Sequence, residues 1–250
     1  MIAEGPHDIE FLVGVLKQSY GLKRITHLTK VDKFWEELIP KKFPVDDDLT
    51  RRVPVPTFVQ NNEVSIALHS ANGITKISKT IQESFAVIEL SQLYSVGMFL
   101  DADDMQSPQK RFELLTSDLS KRSLPFPDVL GEVAQSSPRR GIFIAPNNLD
   151  KGTLEDLLLE CAKTNYPDLL SLATAYITAI NVDQLTDKDV EEFKKPAGQN
   201  KAIISSISSI LKPSKSLQVT LQDNRWIDAN TMALDSMKRV KKFLEDIIGY

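Results

Sequence analysis

Residues 96–104 read Val96-Gly97-Met98-Phe99-Leu100-Asp101-Ala102-Asp103-Asp104. A continuous apolar run that ends in clustered acids is the pattern of a strand buried on both faces that runs out into a polar loop. Parallel sheets have both faces covered by their crossover helices, so their strands lose the apolar–polar alternation of a half-exposed strand. A second run of this kind, Gly141-Ile142-Phe143-Ile144-Ala145, ends in Pro146-Asn147-Asn148. A third and thinner one, Met1-Ile2-Ala3, leads into Glu4-Gly5-Pro6-His7-Asp8. Three residues are few for a strand, so it is expected to continue upstream in a longer chain.

Helical patterns lie between these runs. Apolar residues at Ile9, Leu12, Val13, Val15 and Leu16 have the spacing of one helix face and predict a helix to Tyr20. A helix is also expected over Val31–Ile39. Prolines at 40, 44, 54 and 56 then break regular structure around the acidic loop Asp46-Asp47-Asp48. Thr57–Gln60 and Val64–His69 flank Asn61-Asn62 and read as a hairpin. Ile74 to Leu93 predicts another helix. Ser107-Pro108 starts the next, with Phe112, Leu115 and Leu119 on one face. A polar, Pro-rich stretch runs to Arg140. Gly152-Thr153 caps a helix from Leu154 to about Lys163, and Leu169–Ala179 is expected to be helical.

The order β–α–(β hairpin)–α–β–α–β–α predicts an α/β fold, a mostly parallel sheet flanked by helices and joined by right-handed crossovers. Residues 1–180 form this domain in our reading. From Asp183 the pattern is helical only: Thr186–Lys195, Lys201–Leu211 and Ala229–Ile248. Residues 181–250 are therefore read as a helical C-terminal extension packed on the sheet domain.

Composition narrows the function classes. With 250 residues and 42% hydrophobic content the chain can build a substantial core. The formal net charge of −4 means that nucleic-acid binding would need a local basic patch. Such a patch can come only from the late residues Lys194, Lys195, Lys201, Lys212, Lys215, Arg225, Lys238, Arg239, Lys241 and Lys242, although a solvated helix face explains the same run of charge. The single cysteine, Cys161, sits in an apolar helical run and reads as a buried thiol; a cytoplasmic location fits it. Three scattered histidines and one cysteine exclude the usual zinc spacings. No apolar stretch approaches the ~20 residues of a membrane span, so no membrane contact is expected. No basic-then-apolar leader opens the chain.

In an open parallel sheet, ligands sit beyond the carboxyl ends of the strands. Three strand ends here carry polar groups, and they converge if the strands are neighbours. Two aspartates two residues apart on an extended segment point the same way. Oxygen ligands of this kind suit hard cations such as Mg²⁺; an acidic, solvated turn is the plain alternative. Asp8, four residues after Glu4, reads either as a companion in the site or as a helix cap. Glu155 and Asp156 favour the dipole of their helix. His7 stands where it could touch phosphate or metal, and also where an exposed histidine does nothing.

The segments Ala3-Glu4-Gly5-Pro6-His7-Asp8, Gly97-Met98-Phe99-Leu100-Asp101-Ala102-Asp103-Asp104, and Gly141–Asn148 followed by Gly152-Thr153-Leu154-Glu155-Asp156 together resemble the Toprim domain. Topoisomerases, primases and overcoming-lysogenisation-defect nucleases share that fold. Within it the chain is similar to a small Toprim-related family of unknown function. The resemblance covers about residues 1–165, with a weaker echo at Arg225-Trp226-Ile227-Asp228. It implies a Toprim-like, Rossmann-like sheet. It implies Glu4 as metal ligand or general acid/base, Asp101 and Asp103 as the metal-binding pair, and Asp8 and Glu155 as further acidic ligands. It implies Mg²⁺ or Mn²⁺ as cofactor. Nuclease relatives also use a lysine late in the domain, for which Lys201 is the candidate. The ATPase domain of the larger nucleases is not expected, because the sequence has no Gly-x-x-x-x-Gly-Lys loop.

Two functions stay open at this stage. One is a Mg²⁺- or Mn²⁺-dependent nuclease cleaving phosphodiesters in DNA or RNA. The other is a non-catalytic Toprim-like interaction or sensor subunit, acting with a protein partner or as a homodimer. Small-molecule phosphotransfer fits less well. The haloacid-dehalogenase pattern wants Thr or Val where Met105 stands, and receiver domains give no reason for a second aspartate.

Overall fold

The structure is a computed structural model describing residues 1–41, 55–103, 107–124 and 126–250. The elements run β1 (Ile2–Ala3), α1 (Pro6–Tyr20), β2 (Lys23–Ile25), β3 (Thr57–Gln60), β4 (Ser65–Ser70), α2 (Ile77–Val87), β5 (Ser95–Asp101), α3 (Pro108–Lys121), β6 (Val133–Ala134) and β7 (Arg139–Ala145). The helices α4 (Leu154–Asn165), α5 (Pro167–Thr178), α6 (Asp187–Val190), α7 (Gly198–Leu211), α8 (Leu217–Asp223) and α9 (Asp235–Ile248) follow. Seven strands form one sheet in the order β2-β3-β4-β1-β5-β7-β6. The central four, β4, β1, β5 and β7, are parallel, and β2, β3 and β6 pair antiparallel at the edges. The fold is thus α/β with a mixed, mostly parallel sheet.

The buried runs explain the layering. Along β5 and β7 successive side chains point to opposite faces. Phe99 and Phe143, in register across the pair, stack at 5.4 Å and pack with Phe11 of α1, Leu157 of α4 and Phe243 of α9. Met98, Leu100, Ile142 and Ile144 face the other way, onto Ile77 and Ile81 of α2 and Phe112 and Leu119 of α3. Helix α9 lies close on β7. A Cβ at Gly141 would come within 2.8 Å of Val133 and 3.0 Å of Phe243. Arg139, at the start of β7, donates to the Asp246 carbonyl at 3.0 Å, which sets the end of α9 at the amino end of the strands. Helices α7, α8 and α9 contribute Ile204, Leu221, Met237 and Leu244 to the same core as the sheet, and Trp226 is fully buried there.

Several elements depart from the sequence reading. In place of the helix expected over Val31–Ile39 stands a 3-10 turn, Lys33–Leu38, preceded by another at Leu28–Lys30 and capped by Asp32 accepting from the Phe34 amide. The helix expected over Ile74–Leu93 narrows to α2, flanked by 3-10 turns, because Ile88 turns extended. The charged helix over Thr186–Lys195 shrinks to α6, capped by Thr186. The long helix expected from Ala229 begins only at Asp235. The Asp228 carboxylate accepts from the Asn230 and Thr231 amides at 3.0 Å each and holds that segment in a turn. The acidic loop Asp46-Asp47-Asp48, Asp104 and Met105 lie outside the described residues. Among the described residues no helix is long and apolar enough to cross a membrane.

Candidate functional site

Strands β1, β5 and β7 are direct neighbours, so the three polar strand ends lie side by side. Ala3 pairs with Phe99 and Asp101 with Ala145, which sets Glu4 beside the end of β5 and Asp101 beside Pro146. The cluster forms at the carboxyl edge of the parallel strands.

Each carboxylate is fixed by local structure. The Asp101 Oδ1 accepts from the Leu154 amide at 2.8 Å, tying β5 to the first turn of α4. That turn is closed by a capping box. The Thr153 amide donates to Asp156 Oδ2 at 2.7 Å. Gly152 sits at φ +145°, and a Cβ there would lie 2.5 Å from Asp156 Oδ2, so the turn needs glycine. Asp156 Oδ1 accepts from Asn200 Nδ2 at 3.0 Å, which pins the first turn of α7 to the same place. Glu155, only 6% exposed, makes no hydrogen bond or ion pair among the described residues. Asp8 is 5% exposed and accepts from the Gly5 amide at 2.6 Å, capping α1 from inside the cluster.

Mutual charge marks the cluster. Burial, then the charges of Glu4 and Glu155, push the Asp8 carboxyl up to about 7, against the pull of the Gly5 amide. Burial and the charges of Asp8, Glu4 and Glu155 hold Asp101 well above the usual carboxylate range. Glu4 is raised by burial and by Asp103, opposed by the Asp101 amide and by the charges of Arg111 and Lys201. His7 is lowered, mainly by burial, with Glu155 opposing and Lys201 adding to the fall. Shifts of this origin are common where a site is built for chemistry, and also occur in structural networks.

The structure therefore brings Glu4, Asp8, Asp101 and Glu155 together, with Lys201 exposed at their rim. Asp103 is near Glu4 but differently engaged. Strand β5 ends at Asp101, and Asp103 adopts left-handed backbone at φ +59°, its amide donating to Gly152 O at 3.0 Å. The strand periodicity that would aim both aspartates alike is thereby broken. Asp103 pairs with Arg111 of α3. Arg111, Asn200 and Asp156 were not singled out as site residues in the sequence. The Thr153-x-x-Asp156 spacing is a legible capping signal. Arg111 and Asn200 reach the site only through tertiary packing.

The donor set is all hard oxygen, which suits Mg²⁺ or Mn²⁺. The buried Glu4 Oε2 lacks any hydrogen-bond donor, and Glu155 makes no hydrogen bond or ion pair among the described residues. As the side chains stand, however, no group of three or more His, Cys, Asp or Glu among the described residues is arranged to hold an ion. The donor chemistry fits, and the side chains would have to close in on the ion.

The late basic residues are dispersed. Lys194, Lys195, Lys212, Lys238 and Lys242 pair with Asp187, Glu192, Asp223, Asp235 and Asp246 on the surface. Lys238, Arg239 and Lys242 nevertheless line a groove of about 580 Å³ together with Gln109 and Asn148. Another cavity, about 510 Å³, lies at the amino edge of the strands among Phe34, Trp35, Tyr94 and Tyr250, away from the carboxylates.

A family described as "Protein of unknown function (DUF3226)" matches residues 1–249 of the chain. No curated protein matches it. Among solved structures it is similar to the hypothetical protein PH0156 from Pyrococcus horikoshii OT3, with a TM-score of 0.55 and 19% identity over 98% of this chain and 93% of that one. At that identity the likeness concerns the fold alone.

Proposed function

The chain belongs to the family of unknown function DUF3226, a membership that brings no activity with it, and we propose from the site that it is a Toprim-type, divalent-metal-dependent enzyme acting on phosphodiester bonds of nucleic acid. One observation carries this reading. Four carboxylates, Glu4, Asp8, Asp101 and Glu155, meet at the carboxyl edge of neighbouring parallel strands, the charges of their neighbours raise the proton affinity of Asp8 and Asp101, and none of the four pairs with a lysine or arginine among the described residues. Folding such a cluster is unfavourable unless something offsets its charge. The finer likeness to a Toprim sheet belongs to the same reading. It is supported by the order Glu4 after β1 and Asp101 at the end of β5, with the two strands adjacent.

A bound Mg²⁺ or Mn²⁺ would supply charge neutralisation at a phosphoryl group. Glu4, Asp8, Asp101 and Glu155 are the residues that would hold it. The α4 first turn fixes Asp101 through the Leu154 amide, and Asp156 with Asn200 fixes α7, whose Lys201 acts on Glu4 through its charge and makes no ion pair among the described residues. Lys201 is placed to bind a phosphate oxygen at the rim. The groove carrying Lys238, Arg239 and Lys242, lined also by Glu132 and Asp246, offers a nucleic-acid backbone Arg239 beside two lysines already paired with Asp235 and Asp246.

The test is cleavage of plasmid, single-stranded DNA and RNA by the purified full chain with Mn²⁺, beside Asp101→Asn. Cutting by the wild type and at least about a hundredfold less by the variant is expected. Equal rates, or no cutting of any of the three, would sink the catalytic reading. A second reading, an interaction subunit, is favoured by the exposed apolar residues Leu172, Tyr176 and Ile210 on the paired helices α5 and α7. Stoichiometric copurification with a partner, without Mn²⁺ binding, would support it.

A further inference from the structure

Arg111 stands where an arginine is out of keeping with an acidic metal cluster. It lies near the start of α3 with its side chain 11% exposed, and its guanidinium pairs with Asp103. Its Nε is buried without an acceptor, just as Glu4 Oε2 is buried without a donor. The charges of Arg111 and Asp103 both act on Glu4, with opposite sign. Asp103 is further held in place by its left-handed backbone and by the hydrogen bond its amide donates to Gly152 O. Arg111 is therefore a cation fixed on the second aspartate of the Asp-x-Asp pair, near enough for its charge to act on the glutamate after β1.

On the other flank of Glu4 the situation is reversed. Asp8, Asp101 and Glu155 lie together, and none of them has an ion pair among the described residues. Glu155 is 6% exposed and makes no hydrogen bond or ion pair among the described residues. Asp103 thus already has its cation in Arg111, while Asp8, Asp101 and Glu155 have no ion pair among the described residues.

We propose that Arg111 takes the place of one cation in this site, so that the chain binds a single divalent ion through Glu4, Asp8, Asp101 and Glu155 while Asp103 serves Arg111. This rests on the divalent-ion reading above and narrows it. The physical ground is competition for the same oxygens. A guanidinium keeps its charge at every accessible pH. An ion entering at Asp103 would have to displace it and leave a nearly buried charge unpaired, which is strongly unfavourable. The same guanidinium, fixed beside the ion, is positioned to meet a phosphate oxygen once its Nε is offered one.

Calorimetric titration of the full chain with Mn²⁺, checked by electron paramagnetic resonance of free Mn²⁺, tests this without any substrate. The wild type should bind one ion. Asp101→Asn should weaken that ion at least about tenfold, and Asp103→Asn should change it by less than about threefold. Arg111→Met keeps the buried stem, removes the charge and should raise the stoichiometry to two, whereas Arg111→Lys should stay at one. Two ions in the wild type, an Asp103→Asn loss as large as that of Asp101→Asn, or an Arg111→Met variant that stays at one would each overturn the proposal while leaving the metal reading standing. No binding by the wild type overturns both. If Arg111→Met fails to fold, the Asp101→Asn and Asp103→Asn pair decides alone.

Discussion

Asp8→Asn should make the protein more stable, and more so as pH rises. Asp8 is 5% exposed, and its carboxyl is pushed from 3.8 to about 7 in the folded state. An acid raised on folding is protonated more readily in the folded chain than in the unfolded one. Its penalty is therefore absent below 3.8, grows as the pH rises, and is complete above about 7. At 1.36 kcal/mol per unit, the penalty is about 2 kcal/mol near pH 5 and about 4 kcal/mol near pH 9. Asparagine removes it. The variant keeps an oxygen for the Gly5 amide but loses the charge on that bond, which costs about 1 kcal/mol. The net gain is about 1 kcal/mol near pH 5, rising to about 3 kcal/mol near pH 9.

Urea unfolding of wild type and Asp8→Asn at those two pH values, in chelator, measures both terms. Guanidinium is avoided because it screens charge. A variant less stable than wild type near pH 9, or a difference independent of pH, would refute the reasoning, since either outcome means that Asp8 is not held charged against Glu4 and Glu155. Adding Mn²⁺ should stabilise the wild type more than the variant, because the ion offsets the repulsion that asparagine has already removed.

Three further outcomes follow from particular contacts. Gly152→Ala forces a Cβ against Asp156 at φ +145° and should cost about 1–3 kcal/mol by thermal or urea unfolding, with an unchanged melt counting against the capping geometry. Cys161 is fully buried and its thiol is pushed up to about 12, chiefly by burial, so a thiol reagent should leave it unmodified in the native protein near pH 8 and label it fully in denaturant. Phe143→Ala removes the ring stacked on Phe99 and packed against Phe243 and should cost about 3–5 kcal/mol, a loss under about 1 kcal/mol in urea unfolding meaning that the aromatic stack is not central to the core.

The parts of the fold legible in the sequence are those with long apolar signals. Val96–Leu100 and Gly141–Ala145 read as buried strands because both their faces are covered, and Phe99 and Phe143 on one face with Met98 and Ile142 on the other show why. Strands β2 and β6, with three and two residues, carry too little pattern to announce themselves, and helix α8 is similarly brief. Neighbourhood is the other hidden quantity. Nothing in the local sequence says that β1 lies between β4 and β5, yet that order is what brings Glu4 to Asp101.

The candidate site shows the same limit at finer scale. Asp101 and Asp103 are two apart, and on a continuing strand they would share a face. Strand pairing ends at Asp101, and the left-handed turn at Asp103 sends the two carboxylates to different partners, the Leu154 amide and Arg111. A residue other than glycine in that conformation is uncommon, with aspartate among those that tolerate it best, so spacing alone could not reveal it. Arg111 is eight positions on, in the next helix, and becomes visible only when α3 packs against the sheet. The acidic motif is thus legible as a cluster, while the division of its acids between Asp103, paired with Arg111, and the carboxylates without an ion pair among the described residues is a property of the folded chain. The Mn²⁺ stoichiometry of Arg111→Met reads that division directly.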